Sequence, residues 1–410
     1  MQLRYAYRLA PTPGQQIALA RAFGCARVVF NDGLRARHEA REAGLPYLSD
    51  GELSKRVITD AKKTPERAWL GEVSAVALQQ ALADLNTACR NFFASLRGKR
   101  KGPKMAPPRF RSRKDNRQTI RFTKNARFAI TPGGKLRLPK IGDVAVRWSR
   151  TLPAEPSSVT VVKDAAGRYF ASFVVQVGEE SLPPVEAEAG IDLGLGHFAV
   201  LSDGRKIDSP RFLRRAEKKL KRLQRALSRK QPGSNNRDKA RLAVARQHAK
   251  VTDARREFHH QLSTKLIRDN QAIYVEDLAV KGLARTRLAK SVHDAGWSSF
   301  VAMLEYKARL YGRTFHRIDR WFPSSKQCSV CGTNAESMPL NVRFWTCPCG
   351  AVHDRDVNAA KNILAAGRAE RLNASHTSGR DGARRPGGGQ IRPPHQGGKP
   401  VEAGSHRGAA

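Results

Sequence analysis

Hydrophobic and polar positions change period several times along this chain, and each change predicts an element. Leu3, Tyr5, Tyr7 and Leu9 alternate with Arg4 and Arg8, the period of a half-buried strand with a basic outer face. Pro11 and Pro13 end it, and Gln15 to Glu39 reads as a helix. A second helix is predicted to start with Thr64 as its cap and Pro65 in its first turn. Its apolar stripe, Leu78, Leu82, Leu85, Cys89 and Phe92, advances in steps of four and three, so it should pack against a partner. Strand patterns follow at Thr119–Thr123, Leu136–Leu138, Val144–Trp148, Val159–Val162 and Tyr169–Val177, with Asp164-Ala165-Ala166-Gly167 turning the last hairpin. The first half is therefore expected to be an antiparallel sheet with two helices inserted after its first strand.

A Pro/Glu-rich junction, Ser181 to Glu188, is the expected domain boundary. Past it, Gly190–Leu193 and Phe198–Leu201 read as adjacent strands with a turn near Asp203-Gly204. Two long helices carry Leu213, Ala216, Leu220, Leu223, Leu227 and then Val251, Ala254, Phe258, Leu262, Leu266. Gln231-Pro232-Gly233-Ser234 breaks the chain between them, which predicts an antiparallel pair. Ile273-Tyr274-Val275 is a buried strand ending at Glu276 and Asp277, followed by a helix from Asp294 to Tyr311 and a strand at Thr314–Ile318. After Ala366 little packing material remains, and residues 367–410 are expected to be a disordered tail.

Charge changes the picture more than composition does. The 410 residues hold 75 Lys+Arg against 36 Asp+Glu, a formal charge of +39, which excludes an ordinary neutral metabolic enzyme and points to a polyanionic partner. A hydrophobic fraction of 40% still supplies cores for two or three domains. The cations concentrate in two places. Arg97, Lys99, Arg100, Lys101, Lys104, Arg109, Arg111 and Arg113 alternate with prolines and glycines, the texture of a phosphate-contacting loop. Arg214, Lys218 and Arg222 lie on the basic face of the first long helix, where like charges repel unless phosphates neutralise them. With neither a signal-peptide core nor 18 consecutive apolar residues, secretion and a membrane span are not expected, and the few, clustered cysteines suit a reducing compartment.

Two constellations carry candidate chemistry. Cys328-Ser329-Val330-Cys331-Gly332 and Cys347-Pro348-Cys349-Gly350 offer four thiolates for a structural Zn2+, with iron–sulfur and redox-pair readings as competitors. The single residue between Cys347 and Cys349 is tight for a knuckle, so His353 is held as an alternative ligand or as a surface histidine. The second constellation is acidic. Asp192 lies in Gly190-Ile191-Asp192-Leu193-Gly194, Glu276 ends an apolar strand, and Asp356 opens a helical pattern that Asp354 can cap. Flanking glycines would let a phosphodiester backbone approach Asp192. Three such carboxylates could hold two Mg2+ ions about 4 Å apart for phosphodiester hydrolysis. Arg355 could orient phosphate or form a structural ion pair.

The combination of Gly190-Ile191-Asp192-Leu193-Gly194, Val275-Glu276-Asp277-Leu278, Cys328-Ser329-Val330-Cys331-Gly332 and Asp354-Arg355-Asp356-Val357-Asn358-Ala359-Ala360-Lys361-Asn362-Ile363 resembles the TnpB family of transposon-encoded RNA-guided nucleases, relatives of type V CRISPR effectors. The spans Lys290–Trp297 and Trp321–Lys326 extend the likeness, which covers most of Met1–Ala366.

The resemblance implies a multidomain α/β chain: an N-terminal wedge-like oligonucleotide-binding barrel with an inserted helical recognition domain, then an RNase H-like (RuvC) nuclease domain with an inserted zinc-binding module. In residue numbers these would be 1–13 and 97–180 for the barrel and its basic loop, and 14–96 for the helical domain. The nuclease domain would be 181–326, the zinc module 327–352 and the final nuclease helix 353–366. Asp192, Glu276 and Asp356 become the catalytic acids. A noncoding RNA from the transposon end becomes the guide, double-stranded DNA the target, and the protein a monomer within the ribonucleoprotein. A guided DNA-binding regulator without cleavage, or a strand-transfer transposase, are the competing readings.

Overall fold

The computed structural model describes residues 1–115, 117–339 and 341–380, with side chains through residue 373. The chain forms two compact units, Met1–Val177 and Gly178 onward. Both mix helices with sheet, and no helix among the described residues is long and apolar enough to cross a membrane.

In the first unit, β1 (Gln2–Ala10) leads through Thr12 into α1 (Pro13–Glu42). Thr12 and Gln15 close a reciprocal capping box and Pro13 fits the first turn, so this helix start is written locally. A short α2 (Asp50–Ser54) and tight helical turns lead to α3 (Ala75–Leu96). The stripe Leu78, Leu82, Leu85 and Cys89 is buried as predicted, and Gly33 of α1 lets Leu82 and Leu85 approach closely. The predicted start at Thr64 is wrong. Both the N–H and the hydroxyl of Thr64 donate to the Ala61 carbonyl, closing the preceding turn, while buried Leu70 and Val73 hold the chain in an irregular path up to Ser74.

Strands β2 (Gln118–Thr123), β3 (Ala129–Ile130), β4 (Lys135–Leu138), β5 (Gly142–Arg147), β6 (Ser158–Lys163) and β7 (Tyr169–Gln176) complete an antiparallel seven-stranded sheet ordered β2-β6-β7-β1-β5-β4-β3. The first strand thus pairs with β7 and β5, more than 130 residues away.

The second unit is built on five strands ordered β10-β9-β8-β11-β12. They are β8 (Glu188–Asp192), β9 (His197–Leu201), β10 (Lys206–Asp208), β11 (Ala272–Glu276) and β12 (Thr314–Ile318). The first three form an antiparallel meander, whereas β8, β11 and β12 run parallel. Between β10 and β11 lies the predicted helical hairpin, α4 (Phe212–Ser228) and α5 (Asn235–Asp269). Of the α4 seam only Leu220 is buried.

After α6 (Val280–Leu283), the helix expected from Asp294 is two helices, α7 (Ala289–Ala295) and α8 (Trp297–Leu310). Gly296, at φ +66°, breaks them apart. This break frees the buried Asp294 carboxylate to accept from the N–H groups of Leu213 and Arg214, capping α4 from another element.

Ile191, Ile273 and Val275 face a core shared with Leu266, Trp297, Phe300 and Leu304. On the other sheet face lies α9 (Arg355–Arg380), against Ala272, Tyr274 and Ile318. A hairpin of β13 (Phe344–Thr346) and β14 (Val352–Asp354) immediately precedes α9. The tail expected to be disordered from residue 367 is corrected here, since α9 runs on to Arg380. Gly367 lies against the Tyr274 ring, and Arg368 and Arg371 both pair with Glu188, so this stretch has tertiary partners. Residues 381–410 lie outside the described residues.

Candidate active site and metal centre

Parallel pairing decides where the acids meet. Tyr274 is in register with Gly190 and Val275 with Ile191, so Asp192 and Glu276 stand side by side one step further, at the carboxyl edge. Side chains alternate faces along a strand, which puts Gly190, Asp192, Tyr274 and Glu276 on the α9 side. That helix lies very close. A Cβ on Gly190 would come within 2.1 Å of the Ala360 carbonyl oxygen, and one on Gly367 within 2.1 Å of the Tyr274 ring. The Gly190 backbone is therefore approached by a helix, not by the phosphodiester the sequence suggested. Asp354 caps that helix, its Oδ1 accepting from the N–H groups of Asp356 and Val357 at 3.1 and 3.0 Å. Lys206 of β10 holds the other oxygen of Asp354. The Lys206 hydrogen bond and the backbone donors outweigh the effect of burial, and the Asp354 carboxyl stays below its ordinary range.

Asp192 feels the charge of the other two acids. Asp192 keeps some exposed surface, but its carboxylate lies deep among protein atoms. Burial first, then the charges of Asp356 and Glu276, raise its pKa from 3.8 to about 7, against a lowering by Arg355. Glu276 is also raised, by burial and by Asp277. Without a cation such a cluster repels itself, and Asp356 leans 3.6 Å from Arg343 of the hairpin. Among the described residues only the four cysteines gather their ligand atoms within 4.8 Å; the three acids form a looser set. Carboxylate oxygens are nevertheless the donor type that a hard divalent ion takes, and the cations near them are Arg343 at Asp356 and Arg355, whose charge acts on Asp192.

The cysteines form a compact group. Cys328 and Cys349 sulfurs are 3.8 Å apart and those of Cys331 and Cys347 3.5 Å. Zinc–sulfur bonds of about 2.3 Å give a tetrahedral edge of about 3.8 Å, so the set fits Zn2+. The short second spacing is accommodated by a tighter turn. Gly332 N–H returns to the Cys328 carbonyl four residues back, whereas Gly350 N–H returns to Cys347 only three back, both glycines at positive φ. His353 lies outside the sulfur group. Its Nε2 is 3.0 Å from Cys328 Sγ and its ring packs on Trp345, so it supports a ligand rather than replacing one. Hydrogen bonds from Thr333, then contacts with Cys347 and Cys349, pull the Cys331 thiol down to about 6.

Sequence reading assigned no role to the residues that bind this module to α9. Asn358 and Asn362, one turn apart on α9, are buried. Asn358 accepts from Ser329 N–H and donates to the Gln327 carbonyl, while Asn362 donates to Gln327 and Ser324. Their spacing of four residues was the available signal.

The basic candidates divide. Arg97, Lys99, Lys101, Lys104, Arg109 and Arg113 of the loop, and Arg214, Lys218 and Arg222 of α4, are exposed. Arg100 is half-buried and donates to the Pro103 carbonyl. Arg111 is taken up by structure: it sits over Phe30, pairs with Asp84 and clasps Asn31 through its backbone. Arg355 donates to the Pro339 carbonyl while its charge acts on Asp192.

Against known proteins, residues 172–287 match a family model described as a probable transposase, and residues 297–363 one described as a Cas12f1-like TNB domain. Residues 1–45 match a helix-turn-helix model, although here they form a strand and one long helix. A Streptomyces pristinaespiralis protein named "Putative RNA-guided DNA endonuclease" is 47% identical over 370 residues, covering 88% of this chain and 89% of the relative. The Escherichia coli K12 protein InsQ, with the same description, is 31% identical over 89% of this chain and 92% of its own length.

The chain belongs to the TnpB family.

A solved Cas12f1–sgRNA–target DNA complex shares the fold of this TnpB-family chain at a TM-score of 0.52 and 14% identity, covering 85% of this chain and 83% of the other.

Proposed function

We propose that this chain is an RNA-guided DNA endonuclease of a transposable element, acting by metal-dependent hydrolysis. The observation that carries the reading is the parallel register that leaves Asp192 and Glu276 at the same end of neighbouring strands, with Asp356 in the first turn of the helix on that face. Bound among these acids, two Mg2+ ions would supply an ionised water and neutralise the leaving oxygen. The chain's own residues set the stage. Gly190 and Gly367 admit the helix, Asp354 caps it, and Asn358 and Asn362 fix its second and third turns to the cysteine module.

The β10-β9-β8-β11-β12 order supports an RNase H-like assignment for the second unit, and β1 with β2–β7 supports the wedge-barrel assignment for the first. Residues 14–96 would be the recognition helices, 327–352 a zinc module, and Arg97–Arg113 with α4 would contact phosphates. Names of the relatives, together with a charge of +39, support a noncoding guide RNA and a DNA duplex as partners.

Sequencing of RNA that co-purifies with the protein is the first test, with one transposon-end transcript expected to dominate. The loaded complex should then cut a matched, correctly flanked duplex in Mg2+ and lose that activity in Asp192→Asn. Guided binding without breaks across a full flanking-motif screen would favour the regulator, and joined donor–target products the transposase.

A further inference from the structure

The carboxyl edge of the catalytic sheet continues beyond the acids. Glu276 is in register with Ile318 at the end of β12, and the chain then runs Asp319-Arg320-Trp321 past the same edge. Asp277, Arg317, Ile318, Asp319, Arg320 and Trp321 line an open groove of about 570 Å³. Trp321 is 83% exposed, the most exposed large apolar side chain among the described residues.

Looseness does not explain that exposure. Arg320 is tied to Asp277 through its side chain and the Asp277 carbonyl. Trp321 N–H donates to the Asp319 carboxylate at 2.7 Å, and Phe322 packs against the Tyr274–Ile318–Ile363 cluster. Anchors on both sides thus present the indole to solvent. A large exposed π-face on an anchored backbone, with Arg320 beside it and metal-type acids one strand away, has the makings of a stacking platform for single-stranded nucleic acid.

We propose that Trp321 stacks on a nucleobase of the DNA strand entering the active site and so sets the position of the scissile phosphate. This rests on the nuclease reading for the strand's purpose, but the stacking itself can be measured without cleavage. The base would be read by its π-face, so the contact is indifferent to sequence. Arg320 would share its charge between Asp277 and a flanking phosphate, while Arg317 stays paired with Glu305. Trp321 is on this account a positioning residue.

The test uses the full chain carrying Asp192→Asn, so that DNA is not consumed, and a thymidine oligonucleotide with one 2-aminopurine stepped along its length. Binding should quench 2-aminopurine with Trp321 or Trp321→Phe, and not with Trp321→Ala, whose affinity should fall about tenfold. Absent quenching, quenching that survives Trp321→Ala, or quenching of the oligoribonucleotide alone would overturn the proposal. A chain that stacks the base yet cuts no guided target would instead remove the nuclease reading and leave the platform standing.

Discussion

Replacing Asp192 with asparagine should make the metal-free protein more stable, because the wild-type carboxylate is held where its charge is disfavoured. Burial and the charges of Asp356 and Glu276 raise its pKa from 3.8 to about 7. Holding the ionised form against that shift costs about 4 kcal/mol, a ceiling, since water and stray cations relieve part of the repulsion. The sign follows from proton counting. Between pH 3.8 and 7 the folded carboxyl keeps a proton that the unfolded chain releases, so stability is greatest below the lower value and falls as pH rises to about 7.

Asparagine mimics the protonated acid and escapes that loss. In EDTA at pH 8, Asp192→Asn should raise the unfolding midpoint of the second unit by at most about 8–16 °C, at about 2–4 °C per kcal/mol for a unit of this size. The advantage should shrink steadily toward pH 4. Added Mg2+ should stabilise the wild type more than the variant. Calorimetry at several pH values reads all three effects. If the variant were no more stable at pH 8, or equally advantaged at pH 4, the crowded-carboxylate account would be wrong.

Three further outcomes probe the supports of the site. Gly190→Ala places a methyl against the Ala360 carbonyl, so α9 must shift; we expect at least 2–3 kcal/mol lost in denaturant unfolding and a larger loss in guided cleavage. Asn358→Ala leaves the Ser329 N–H without its partner and removes one of the two amide donors on the Gln327 carbonyl, and should cost about 1–3 kcal/mol; unchanged denaturation would remove the amide clamp from the account. One zinc per chain should appear by elemental analysis. Cys349→Ser should abolish it while His353→Gln only weakens retention, and equal zinc loss in both would make His353 a ligand.

Much of this protein was readable from local pattern. Period-two alternation marked β1, β4 and β5, and the four-three stripe marked α3, whereas the Thr12 capping box that starts α1 two residues before the expected Gln15 was passed over. Such signals survive because each depends on neighbours within a turn or a strand. The cysteine and acid motifs were legible for the same reason, as short strings of unusual residue types.

Tertiary structure decided what those motifs do. Thr64 looked like a helix cap until Leu70 and Val73 required a different path, and Gly190 looked like a landing place for phosphate until α9 occupied it. Residues past Ala366 looked empty because their partners, Tyr274 and Glu188, are nearly a hundred or more positions away. Asp192 and Glu276 are 84 residues apart in the chain, and only the register of two parallel strands makes them neighbours. Such register is set by which face each strand can bury, a property of the assembled sheet and not of either segment alone.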